Sequence, residues 1–199
     1  VSVGGGGFTL PRWLDATRPG SRSRVLEVDG DLVALARERL GLRPSPALRV
    51  VVGDARMTLR DVPSAAADVV IGDAFGNYAV PWHLATREWA AEVRRVLRPG
   101  GLYALNVIDF KPLELLRAEA ATLLDAFADV RLVTHRDWSD GPAGGNAVLL
   151  ASDRPLPSRL GSDADGAITL AREQVARFAA DAEPLRDDFA PADQLLTVF

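Results

Sequence analysis

Short continuous apolar runs alternate along this chain with stretches whose apolar residues recur every three to four positions. Val1-Ser2-Val3 reads as the end of a buried strand running into the loop Gly4-Gly5-Gly6-Gly7. A helix is predicted over 9–16, with Pro11 accommodated in its first turn. A second strand covers 24–29. Gly30 then turns the chain, Asp31 is placed to cap a helix, and Leu32, Leu35, Ala36 and Leu40 repeat at helical spacing up to the stop at Gly41 and Pro44. A third strand over 48–52 ends at Gly53-Asp54, a short helix covers 55–61, and a fourth strand over 67–71 ends at Gly72-Asp73. After the loop 74–82, His83 begins an amphipathic helix marked by Trp89, Val93, Val96 and Leu97 and stopped by Pro99-Gly100-Gly101. A fifth strand over 102–108 leads to a helix marked by Leu113, Leu116, Ala120, Leu124 and Phe127, and two last strands cover 130–134 and 147–151. Beyond Pro155 the composition changes to a tail helix over 167–180 and an acidic, proline-bearing stretch over 183–193.

Strands alternating with helices predict an α/β fold built from parallel βαβ units with right-handed crossovers. Because the strands are short and continuously apolar, the sheet should be covered on both faces. The last two strands have no helix between them, which predicts an antiparallel edge. The expected architecture is a Rossmann-like, mostly parallel seven-stranded sheet whose ending is that of methyltransferase-like rather than dehydrogenase sheets. Residues 1–155 form the nucleoside-binding unit, and 156–199 form a helical, acidic tail packed on it. An apolar strand running straight into a glycine cluster leads us to expect further residues upstream of Val1.

With 199 residues, 48% of them hydrophobic, the chain can bury one sizeable core. A net charge of −4 gives no reason to expect nucleic acid or an anionic membrane as a partner. No apolar run in the chain reaches the roughly 18 residues of a membrane span. Cysteine is absent, which excludes disulfides, thiolate metal sites and cysteine nucleophiles and fits a cytoplasmic location. His83 and His135 lie far apart, so no metal is expected. A homodimer is compatible with the sequence.

Four places carry chemistry. Gly4, Gly5 and Gly6 lie between a strand and a helix, where glycine lets backbone approach a ligand. Thr9 stands where a third fingerprint glycine would be, which disfavours a dinucleotide pyrophosphate and suits the tail of a nucleoside. Glu27, with Val28 beside it, ends the second strand roughly 20 residues further on, where a carboxylate can accept from both ribose hydroxyls. Asp29 is a rival whose side chain points to the opposite strand face. Asp54 can accept from an adenine amino group while the Ala55 backbone meets the ring, or it can simply cap the next helix. Asp73 ends the fourth strand beside the glycine loop, where open α/β sheets bind ligands, and it suits proton removal from an attacking amine. Tyr78 and Trp82 either line an acceptor pocket or pack over the sheet edge. Asp187, Asp188 and Asp193 belong to a solvated acidic tail or reach back over the site.

Gly-Gly-Gly-Gly-Phe-Thr-Leu-Pro-Arg from Gly4, Leu-Glu-Val-Asp from Leu26, Gly-Asp-Ala from Gly53, Gly-Asp-Ala-Phe from Gly72 and Pro-Trp-His-Leu-Ala-Thr-Arg-Glu-Trp from Pro81 resemble the spermidine synthase family, most closely its bacterial spermidine synthase-like branch. The resemblance runs from Val3 to about Asp109, with a weaker echo in the tail. It implies a methyltransferase-like fold that binds decarboxylated S-adenosylmethionine or S-adenosylmethionine. It places the ribose acid on Glu27, the adenine-side acid on Asp54 and the catalytic base on Asp73, with a small-molecule amine as acceptor. Gly7 stands where the family carries an Asp, Gly76 stands where it carries a second, and none of these 199 residues is expected to correspond to the family's small N-terminal β domain. Two carboxylates that would pair a diamine are thereby removed. The expected activity is aminopropyl transfer, with methyl transfer and a catalytically inactive nucleoside-binding module as alternatives.

Overall fold

The computed structural model describes residues 1–43, 45–76, 78–135, 144–157 and 166–196. Pro44 and Asn77 lie outside them. The first half forms β1 (Ser2–Val3), α1 (Thr9–Thr17), β2 (Ser23–Glu27), α2 (Gly30–Arg39), β3 (Leu48–Val52), α3 (Ala55–Thr58) and β4 (Ala67–Gly72). It continues through α4 (Arg87–Val96), β5 (Leu97–Asp109), α5 (Glu114–Ala126), β6 (Asp129–His135) and β7 (Gly145–Ser152). The tail adds β8 (Ala167–Leu170), α6 (Arg172–Phe178) and α7 (Ala192–Leu195).

All eight strands join one sheet in the order β3-β2-β1-β4-β5-β7-β6-β8. Pairing is parallel from β3 to β5 and antiparallel from β5 through β7 and β6 to β8. The expected α/β methyltransferase-like class stands, with one strand more than the periodicity predicts. Ala167–Leu170 pairs with β6 where the pattern predicts the start of the tail helix. Helix begins only at Arg172.

Alternation along the strands separates two apolar layers. Leu26 belongs to the large core under α4 and α5, whereas its neighbour Val25 faces the smaller cluster of Phe8, Val33, Ala36, Leu42 and Leu48 beneath α1 and α2. In α2 the buried stripe is Val33 and Ala36, and Leu35 and Leu40 are exposed, contrary to the leucine spacing. On β5, Tyr103, Leu105 and Val107 are buried while Leu102, Ala104, Asn106 and Ile108 on the other face are only half-buried. The second face of the sheet is thus less covered over β4–β7 than the continuous apolar runs suggest, and Val69 is 38% exposed.

The turns that build the rim have identifiable causes. Asp29, rather than Asp31, caps α2: its carboxylate accepts from the N–H groups of Asp31 and Leu32, and Gly30 already lies inside the first turn. Thr86 caps α4 by accepting from the Trp89 N–H. His83 lies in a separate 3₁₀ turn over Trp82–Leu84, ahead of that helix rather than at its start. Among the described residues no helix is long and apolar enough to cross a membrane.

Candidate active site

Strand order reverses between β1 and β4, and in an open α/β sheet this opens a crevice beyond the carboxyl ends of those strands. The register aligns the chemistry there. Val3 pairs with both Leu26 and Gly72, and Glu27 pairs with Val52. The residues that follow these pairs therefore emerge side by side at one edge. A cavity of about 490 Å³ fills the crevice and is lined by Gly4, Gly6, Glu27, Val28, Asp54, Ala55 and Asp73, together with Asp29, Phe75, Pro81, His83 and Leu84. Its size lies within the range of small-molecule sites.

The glycine loop is shaped by close backbone approach. A Cβ on Gly4, at φ +93°, would lie 2.4 Å from the Asp73 carbonyl oxygen. On Gly5 it would lie 2.6 Å from the Phe8 ring and 3.0 Å from Glu27 Oε2. Phe8 is fully buried beneath the loop. Gly7 differs, because a Cβ there meets only Thr9 Oγ1, at 3.5 Å.

Glu27 is 6% exposed, and no Arg pairs with it among the described residues. Its Oε2 accepts from the Gly5 N–H at 2.6 Å and its Oε1 from the Asp29 N–H at 2.9 Å. A carboxylate has about four lone-pair sites, so each oxygen keeps one for a ligand hydroxyl. Of the two readings left open by sequence, the structure shows the helix cap and also places Asp54 on the cavity lining. Its Oδ1 caps α3 by accepting from the Arg56 N–H at 2.7 Å, and its Oδ2 lies 3.2 Å from His83 Nε2 at the cavity wall.

Asp73 is exposed, and its Oδ1 accepts from Asn106 Nδ2 at 2.8 Å. Asn106 Oδ1 in turn accepts from Asn146 Nδ2 at 3.0 Å. Sequence reading missed His83, Asn106 and Asn146 as site neighbours. His83 follows Pro81-Trp82 in a quoted motif and was the most findable of the three.

Tyr78 and Trp82, each 49% exposed, do not line the cavity. They border an adjacent cleft with Asp193, and Pro81 and His83 form the wall between cleft and cavity. Asp187 binds Arg56 and Thr86 instead of facing the site, and Asp188 is exposed. A further cavity of about 590 Å³ lies between α5 and the tail, lined by no residue from the acid-bearing strand ends. No group of three or more potential metal ligands occurs among the described residues.

Residues 1–105 match the family described as Methyltransferase domain. The chain is 28% identical over 159 residues to a polyamine aminopropyltransferase of Vibrio vulnificus, covering 79% of this chain and 51% of the relative. It is 33% identical over 154 residues to polyamine aminopropyltransferase 2 of Streptomyces coelicolor, covering 71% of this chain and 28% of the relative. This chain thus spans about half of the length of the first curated relative and less of the second. A solved structure of a probable spermidine synthase from Corynebacterium glutamicum superposes with a TM-score of 0.85 at 29% identity, covering 94% of this chain and 71% of that one.

Proposed function

The chain belongs to the methyltransferase domain family and is spermidine synthase-like, and from that premise we propose that it is a transferase that holds an S-adenosyl-type nucleoside and passes its aminopropyl group to an amine. The observation carrying this reading is the single cavity into which Glu27, Asp54 and Asp73 project from three strand ends around Gly4–Gly6. Decarboxylated S-adenosylmethionine supplies an alkyl group on a positively charged sulfur. Four carboxylates line the cavity, and His83 is its one basic side chain, an environment that favours a cation.

Glu27 takes the ribose hydroxyls on its free lone pairs, and Val28 packs beside the sugar. Asp54 accepts from the base amino group while the Ala55 backbone meets the ring. Gly4 and Gly6 leave room for the tail that points toward Asp73. There the amine nitrogen attacks in line, the carbon–sulfur bond breaks with its electron pair going to sulfur, and the Asp73 carboxylate takes the proton the nitrogen releases. Methyl transfer from S-adenosylmethionine is the second reading. It is favoured by Gly7 and Gly76, which leave the acceptor side without two acids.

Calorimetric titration with decarboxylated S-adenosylmethionine, S-adenosylmethionine and methylthioadenosine separates the readings. Tightest binding of the decarboxylated ligand is expected. Preference for the carboxylated ligand would move the assignment to methyl transfer, and no binding of any of the three would leave an inactive module.

A further inference from the structure

We propose that Asn106, held in turn by Asn146, is a positioning residue for the Asp73 carboxylate; this rests on the reading of Asp73 as the proton acceptor. The β4–β5 ladder pairs Gly72 with Leu105, so Asp73 and Asn106 emerge next to each other at the rim. The β5–β7 ladder pairs Asn106 with Val148 and Ile108 with Asn146, which puts the two asparagines on one sheet face as diagonal neighbours. Their companions on that face of β5 are apolar: Leu102, Ala104 and Ile108. Two amides interrupt this apolar face at the place where it reaches Asp73.

The hydrogen bonds define a direction. Asn146 Nδ2 donates to Asn106 Oδ1, and Asn106 Nδ2 donates to Asp73 Oδ1, at 3.0 and 2.8 Å. Reversing the Asn106 amide would set its NH₂ against the NH₂ of Asn146 and its oxygen against a carboxylate, so the bond at one end selects the orientation at the other. Asp73 is exposed and would otherwise rotate freely. With Oδ1 held by a charge-assisted bond, Oδ2 stays available to an incoming amine. A group whose reacting atom is misplaced by about 1 Å can lose a hundredfold in rate.

Two measurements test this. Amine-dependent release of the thioether product is followed in wild type, Asn106→Ala, Asn106→Gln, Asn106→Asp, Asn146→Ala and Asp73→Asn. The side-chain amide resonances of Asn106 and Asn146 are followed by NMR in wild type and Asp73→Ala. We expect Asn106→Ala to lower kcat at least tenfold with the nucleoside KM within twofold. Asn106→Gln should restore part of the rate. Asn106→Asp should fall below Asn106→Ala and move the acid limb of the pH–rate profile to higher pH, because a second carboxylate repels the first. Asn146 is exposed, so Asn146→Ala retains the fold, and it should lose rate in the same direction but less. Removing Asp73 should shift the Asn106 amide and, through it, that of Asn146. Wild-type kcat and pH profile in Asn106→Ala and Asn146→Ala, or an Asn106 amide indifferent to Asp73→Ala, would overturn the proposal. Full turnover in Asp73→Asn would instead sink the reading of Asp73 as the base, and the amide shifts would still report whether Asn106 holds it.

Discussion

Two buried glutamates make opposite demands on their surroundings. Glu27 is satisfied, since both carboxylate oxygens accept backbone N–H groups and one of those bonds ties the glycine loop to β2. Glu27→Ala therefore leaves the Gly5 N–H without its partner and removes the proposed ribose acceptor together. Nucleoside affinity should fall at least tenfold in calorimetry, and equal affinity in wild type and variant would remove Glu27 from the site. Glu119 lies on α5 at 1% exposure, and its Oε1 has no hydrogen-bond partner among the described residues. Burial pushes its carboxyl well above the ordinary value of 4.5. The same burial, helped by Glu119 itself, raises the neighbouring Tyr103 phenol. The native state thus holds a proton that the unfolded chain releases above about pH 4.5, so stability declines as pH rises from there toward the folded value, by at most about 1.4 kcal/mol per pH unit. Glu119→Gln keeps the shape and cannot ionise. In denaturant unfolding its advantage over wild type should be small near pH 4.5 and grow toward pH 8. A constant difference across that range would show that Glu119 is not held neutral.

At the scale of elements, the glycine loop divides into positions that must lack a side chain and one that need not. Gly4→Ala drives a methyl into the Asp73 carbonyl from a left-handed backbone and should cost about 2 kcal/mol or more while distorting the cavity. Gly7 is exposed and its would-be Cβ meets ordinary contact only. Gly7→Asp should consequently fold with wild-type stability within about 0.5 kcal/mol, and it would return to the rim the acid the spermidine synthase resemblance leads one to expect. Diamine affinity of the nucleoside complex should then rise several-fold. Gly7→Asp with unaltered diamine binding would place the acceptor elsewhere. These loops were legible because glycines follow β1 and a glycine and an acid recur together at the ends of β2, β3 and β4. The eighth strand was not, since Ala167–Leu170 is half-buried throughout and separated from α6 by one residue, so its apolar positions merge into the helical spacing. The α2 cap was missed because Asp29 and Asp31 both suit the role, and only three-dimensional reach decides between them. Asn106 and Asn146 are 40 residues apart, and an asparagine in an apolar strand carries no mark of its partner.

Among the described residues, the side-chain bond of longest sequence separation joins the tail to the wall of the cavity. Arg56, on α3 next to Asp54, has a side chain only 16% exposed. Its guanidinium binds the Asp187 carboxylate, donates to the His83 carbonyl at 2.9 Å and donates to Thr86 Oγ1 at 3.1 Å. Thr86 Oγ1 donates to Asp187 Oδ1 at 2.7 Å while capping α4, and the Asp187 N–H donates to Glu88. Leu185 fastens the same stretch from the other side, accepting from the Arg87 N–H and donating to Thr122. The acidic tail is thus tied at Asp187 to the 3₁₀ turn that carries His83, and His83 faces Asp54. Sequence could not supply this knot, whose ends lie 131 residues apart and whose acid looks like any other in a charged tail. Arg56→Ala should cost about 2 kcal/mol, because it withdraws a donor from three acceptors at once. Asp187→Ala should cost less, about 1 kcal/mol, since Asp187 is 44% exposed and water screens its charge. If the tail steadies the cavity wall through this pair, the two losses overlap. A double-mutant cycle on unfolding should then show coupling of about 1 kcal/mol, and nucleoside binding should weaken in both single variants without further loss in the double. Additive stabilities, or affinity unchanged in Asp187→Ala, would mean that the tail packs on the domain without bearing on its site.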